Sequence, residues 1–282
     1  MLTLLLERGL KMNFYSYGDA SKPVILLIPG TCCHHSIFDE VVPLLTDRCH
    51  VVVVSFSGFD ETENTVYKDM DTETSFIESY VIKNFAGHIA CCYGCSLGGS
   101  FVAYLVQRGI IRIDHAIIGS SDMDESHGLS AVVKSKLIAH FMTKWIYKGS
   151  LPNWLKKMNK KEIAKHPEKE AYLTKFMNMF LTPSLVGGKV KKKSVYNQFY
   201  SDLDTVIGKG IKRDGTTIHV FYAVKMGARY EDRYKVHFAE PDIRWHDMFH
   251  EELFACYPQK WVEEVFSCMF IQGGQSEKDN LG

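Results

Sequence analysis

The sequence predicts an α/β fold: a mostly parallel central sheet with flanking helices and an inserted helical cap. Three observations carry that expectation. Short apolar runs bounded by turn residues alternate with segments of helical period, the pattern of strands joined by crossover helices. A long stretch in the second half shows helical periodicity alone. The apolar share, 46% of 282 residues, can fill a sizeable core and excludes disordered and fibrous classes.

Residues 23–28 (PVILLI) are apolar throughout and stop at Pro29-Gly30, as a strand buried on both faces does. Residues 37–45 (IFDEVVPLL) follow as a helix that starts or kinks near Pro43, and 50–56 (HVVVVSF) form the next strand, rich in β-branched valine. Phe76, Ile77, Tyr80, Val81 and Phe85 make one helical stripe. Residues 88–93 (HIACCY) read as a short buried strand, 101–106 as a helix, and 115–118 (HAII) as a strand running into Gly119-Ser120-Ser121-Asp122-Met123-Asp124.

From 126 to 210 no strand pattern occurs. Leu137, Ile138, Phe141, Met142, Trp145 and Ile146 repeat at helical spacing, as do Tyr172, Leu173, Phe176, Met177, Phe180 and Leu181, while Pro152 and Pro167 suit first turns. Strand character returns at 216–224 (TTIHVFYAV). Tyr230, Tyr234 and Phe238 mark a further helix, 242–245 is a brief last strand, and 253–266 closes as a helix. The expected organisation is a core of 1–125 with 211–271, a cap of 126–210, and a polar, disordered tail of 272–282.

Basic and acidic residues balance at 33 each, with a pI near 7.2, so no global field favours nucleic acid or a membrane surface, and a small-molecule substrate is expected. The opening MLTLLLERGL has an apolar run broken by Glu7 and Arg8, unlike a secretory leader, and no run reaches the roughly 20 apolar residues of a membrane span. Eight cysteines fall as Cys32-Cys33, Cys91-Cys92-Cys95 and the single Cys49, Cys256 and Cys268, unlike a spaced disulfide framework. Reduced thiols and a cytoplasmic location are the expectation.

The strongest chemical signal is Gly94-Cys95-Ser96-Leu97-Gly98-Gly99, between a buried strand and a helix. A G-x-S-x-G turn there lifts the serine above the sheet at a helix N-terminus, where free amides favour developing negative charge. Gly94 and Gly98 let the two backbones pass without β-carbon clashes. The chain here resembles the α/β-hydrolase superfamily over nearly its whole length. By that resemblance Ser96 is the nucleophile, His250 the terminal base, and 126–210 the cap between the superfamily's sixth and seventh strands. The Ile28-Pro29-Gly30-Thr31 loop stands at the oxyanion loop, with Pro29 where a histidine is common. The resemblance implies an oxyanion hole from the amides of Thr31 and Leu97, with Cys32 as the alternative to Thr31.

His250 is favoured as base over His246, because it sits at the mouth of the final helix. The acid departs from the usual pattern. Superfamily members most often carry it after the seventh strand, but Ala223-Val224-Lys225-Met226-Gly227 holds no carboxylate. Glu231 and Asp232 come later, off the apolar stripe of their helix, and Glu231 is spaced to pair with Lys235. Some superfamily members place the acid after the sixth strand, where this chain has Asp122 and Asp124, and the order Ser, Asp, His is kept. Asp122, nearer the strand end, is the preferred acid; Asp124, Glu231 and Asp232 stay open.

Cys32, Cys33, His34 and His35 have metal-ligand chemistry, yet four consecutive loop residues converge poorly on one tetrahedral ion, and no metal is expected. Cys91 and Cys92 read as core residues, and the lysines of 156–165 and 189–193 as solvated cap surface. No GxGxxG or Walker motif occurs, so no cofactor is expected. The expected reaction is acyl transfer to water from a small or medium ester, with cap aromatics supplying an apolar pocket; a carbon–carbon bond hydrolase or acyltransferase on the same fold, and a non-catalytic ligand-binding member, stay open.

Overall fold

The computed structural model describes residues 11–123 and 126–270. Seven strands form one sheet: β1 (Asn13–Tyr17), β2 (Val24–Ile28), β3 (His50–Ser55), β4 (His88–Cys95), β5 (Arg112–Gly119), β6 (Thr217–Ala223) and β7 (Asp242–His246). Their spatial order is β1-β3-β2-β4-β5-β6-β7, with every pair parallel except β1 on β3. The register sets Ile28 beside Gly94 and Cys95 beside Gly119, so the carboxyl ends of β2, β4 and β5 finish together. Ligand sites of open α/β sheets lie outside those ends.

Both faces of the sheet are covered, and strand alternation divides its side chains between two cores. Leu26, Ile28, Val52, Val54, Cys92, Ala116 and Ile118 pack on one face with Phe101, Val102 and Leu105. Ile25, Leu27, Val51, Val53, Cys91, Tyr93 and Ile117 pack on the other with Leu45, Trp261 and Val265. The helices that cover them are α1 (Val42–Leu45), α2 (Met70–Phe85) and α3 (Leu97–Arg108) in the first half, and after the sheet resumes α8 (Ala228–His237), α9 (Glu252–Cys256) and α10 (Pro258–Phe270). Asp69 caps α2 by accepting the Thr72 amide, and Ala86 ends that helix in the left-handed region.

Between β5 and β6 lie four longer helices, α4 (Gly128–Lys148), α5 (Asn153–Lys165), α6 (Glu170–Phe180) and α7 (Lys192–Asp204). α4 lies against α7 along a buried line of Ala131, Ser135, Ala139, Thr143 and Ile146, mostly small residues at four-residue spacing. α6 reaches the closing helices, where Tyr172 stacks on Phe249.

The sequence reading and the structure differ at three places. β1 was not expected: it is a five-residue edge strand, NFYSY, with neither an apolar run nor a strict alternation to mark it. The stretch 37–45 splits into a 3-10 turn, His35–Phe38, and the short α1. The closing helix breaks at Tyr257-Pro258, since proline has no amide to continue the ladder and biases its predecessor away from helix. No helix among the described residues is long and apolar enough to cross a membrane. The expectations for the opening residues 1–10, for Asp124 and for the tail 272–282 lie outside the described residues.

Candidate active site

The turn from β4 into α3 places Ser96 at φ 49°, ψ −112°, a conformation rare for a residue with a β-carbon. Backbone crowding accounts for the glycines. A β-carbon on Gly94 would lie 2.0 Å from the Gly98 carbonyl, and one on Gly98 would lie 2.3 Å from the Ile28 oxygen. Leu97 opens α3, so its amide has no acceptor within the helix.

A histidine approaches Ser96 from the loop after β7. His250 Nε2 lies 3.1 Å from Ser96 Oγ, and the Ser120 main chain hydrogen-bonds to the same imidazole. Burial holds the His250 pKa below the ordinary value of 6.5, opposed by the neighbouring Glu251 charge and by Ser120. α6 braces this loop: the Tyr172 hydroxyl donates to the His250 carbonyl at 3.1 Å, and the Phe176 ring stands edge-on to the imidazole. His246 is elsewhere, its ring edge-on to Phe221 and its Nε2 buried without a hydrogen-bond partner among the described residues.

On the other side of Ser96, the loop after β2 runs through Thr31 and Cys32, the latter at φ 55°. The Cys32 amide donates to Gln198 Oε1 of α7 at 2.7 Å, so the insertion already occupies that donor. Thr31 and Ser96 line a cavity of about 340 Å³ that is otherwise apolar, walled by Met142, Trp145, Phe176, Met177, Phe180 and Phe199 among others. A pocket of this size and lining suits a small or medium apolar ligand.

Comparison with known proteins agrees with this fold. Residues 25–203 match the family model described as "Alpha/beta hydrolase family". The chain belongs to the alpha/beta hydrolase family. An alpha/beta hydrolase family protein from Desulfitobacterium hafniense superposes with a TM-score of 0.69 at 14% identity, covering 90% of this chain and 100% of that one. The carboxylesterase CesB from Bacillus subtilis gives a TM-score of 0.60 at 15% identity, covering 94% and 90%. In sequence, 116 residues are 29% identical to 1H-3-hydroxy-4-oxoquinoline 2,4-dioxygenase from Pseudomonas putida. That match spans 39% of this chain and 42% of the relative, under half of either.

In this member of the family the four carboxylates weighed as acids have different surroundings. Glu231 pairs with Lys235 at 2.6 Å on an outer face of α8, and Asp232 is exposed there. Asp122 is half-buried in the loop after β5, two residues beyond Ser120, with its carbonyl held by Arg233 Nη1 at 2.7 Å. Its charge joins that of Glu251 in raising the pKa of Tyr234, after the larger effect of burial, and the Tyr234 hydroxyl donates to the Ser121 carbonyl. Asp124 is not among the described residues.

Glu251 is a site residue that sequence reasoning missed. Only 3% exposed, it accepts the Ser96 amide on Oε1 at 2.7 Å and the Tyr93 hydroxyl on Oε2 at 3.0 Å. Its one sequence signal was its place directly after His250, in a Glu251-Glu252 pair that reads as helix surface. The residues with metal-ligand chemistry diverge: Cys32 and Cys33 enter opposite cores, His34 lies between Ser36 and Glu61, and His35 stacks on Tyr15. Cys92 and Cys95, spaced C-x-x-C, also face opposite cores because they stand three residues apart on one strand.

Proposed function

We propose that this protein is a serine hydrolase acting on a small or medium carboxylic ester or related acyl substrate through Ser96, His250 and Asp122. The observation that carries the reading is the 3.1 Å approach of His250 Nε2 to Ser96 Oγ at the floor of an apolar cavity. His250 accepts the serine proton, Ser96 Oγ attacks the acyl carbonyl, and the amides of Thr31 and Leu97 hold the oxyanion. Gln198 engages the Cys32 amide, which favours Thr31 as the first donor. Asp122 takes the part of the acid from the loop whose Ser120 main chain meets the imidazole. Water then hydrolyses the acyl-enzyme. The insertion forms the cap, and its apolar wall selects the acyl or alcohol group.

A serine-directed fluorophosphonate probe tests this reading. Labelling at Ser96, with ester turnover lost by several orders of magnitude in Ser96→Ala, supports it. An unlabelled serine with turnover unchanged in Ser96→Ala overturns it. A second reading, chemistry other than ester hydrolysis on the same fold, has in its favour the match to the Pseudomonas putida dioxygenase. There His250 would take its proton from the substrate and not from Ser96, so turnover of that substrate would survive Ser96→Ala and fall in His250→Asn.

A further inference from the structure

None of the steps above uses Glu251, yet it is held more tightly than a surface carboxylate would be. Its backbone is left-handed, at φ 55° and ψ 15°, a strained conformation for a residue with a β-carbon that persists only where surroundings enforce it. Those surroundings are donors: the Ser96 amide, the Tyr93 hydroxyl and the Cys95 thiol all hydrogen-bond to the carboxyl group. Burial raises the Glu251 pKa above the ordinary carboxylate value, opposed first by the His250 charge and then by these donors, the ring that an ionised, accept-only carboxylate needs. The Ser96 amide that it engages is distinct from the amides of Thr31 and Leu97, so it competes with neither.

We propose that Glu251 is a positioning residue of this site, whose buried carboxylate ties the base loop to the nucleophile's turn and stabilises the imidazolium of His250. The inference rests on the Ser96–His250 reading. As Ser96 Oγ bonds to the acyl carbon, its O–H bond breaks, the proton passes to His250 Nε2 and the carbonyl electron pair moves onto oxygen. The new cation then sits beside the negative charge of Glu251, with the Ser120 carbonyl offering a partial one and Asp122, the proposed acid, in the same loop as Ser120. The groups that face Glu251 are Tyr93 and Cys95 from β4, Cys33 from the loop after β2, Tyr172 from α6, Tyr234 from α8 and His250 itself. Burial pushes the five tyrosine and cysteine groups upward, which leaves them neutral and makes Glu251 and His250 the pair that changes charge. Glu252, the neighbouring carboxylate, is turned to the Phe249 amide.

The test is Glu251→Gln in the full chain, assayed on one ester across pH. The amide oxygen can still accept the Ser96 N–H while the charge is gone. The acid limb of kcat/KM is expected to move down by about one pH unit, because His250 loses the anion that favours its cation, with kcat lower by about tenfold or more. A limb that stays in place or moves up overturns the inference. If the Gln variant does not fold, Glu251→Asp decides: it keeps the charge but shortens the reach to Ser96, so kcat falls while the limb stays, and a displaced limb overturns the inference. Fluorophosphonate labelling of the unmodified protein reads the hydrolase assignment separately, so failure of that assignment and failure of this inference remain distinguishable.

Discussion

The sheet edge that carries Ser96 and the helical insertion that covers it are fixed by different physics. Around Ser96 the limit is backbone contact: β-carbons at Gly94, Gly98 or Gly119 would come within 2.0, 2.3 and 2.6 Å of other atoms. In the insertion no residue of α5 is buried, and Leu129, Leu137 and Trp154 are 78%, 58% and 61% exposed. Charge divides along the same line. Residues 126–210 hold sixteen lysines and five acidic side chains, so the remainder of a formally neutral chain is equally negative. Close contact between backbones holds Ser96, whereas the apolar wall of the cavity sits on helices whose outer faces are exposed.

His250→Asn should produce the largest effect that separates the two regions, a loss of about 10⁴ in kcat with the thermal midpoint unmoved. Comparable loss from substitutions in the insertion would erase the division. Next in size is Gly94→Ala, whose β-carbon meets the Gly98 carbonyl at 2.0 Å and should destabilise by about 3 kcal/mol or more. Its counterpart in the insertion, Gly187→Ala, has a φ of +84° but nothing within 4 Å, and should cost about 1 kcal/mol. Thermal unfolding of both variants checks the contrast.

Smaller still is the expected effect of Trp145→Ala or Phe180→Ala: about tenfold in kcat/KM between long and short acyl esters, with probe labelling of Ser96 little altered. Equal loss of both would make those side chains part of the catalytic support. The subtlest expectation concerns pH. His250 must be neutral to accept a proton, and burial lowers its pKa, so activity is present above the lowered value and lost as pH falls through it. The acid limb of kcat/KM in the unmodified protein should therefore lie below 6.5.

Features of the sequence that depend on neighbours in the chain were legible. The buried runs of β2 and β3, the Gly-flanked Ser96 and the Tyr230-Tyr234 stripe of α8 each declare themselves within a few residues. Features that depend on distant partners did not. β1 is recognisable only once β3 offers it an edge. Nothing near Cys32 announces that Gln198, 166 residues on, takes its amide. Glu251 reads as the start of a helical surface, because a left-handed turn that sends a carboxylate inward leaves no periodic trace. His250 and His246 were both plausible from spacing, and the structure brings His250 to Ser96.

The hydrogen bond from the Cys32 amide to Gln198 gives the insertion a share in the floor beside Ser96. Withdrawing α7 by a couple of ångströms would strip a buried N–H of its acceptor, a loss of about 1 to 3 kcal/mol unless water or substrate replaced it. The roof and the floor are thus one mechanical assembly. On the proposed function, a variant chain lacking residues 126–210 would be an unfinished enzyme with a loosened loop, where a simple cover could have been removed to leave a more open one.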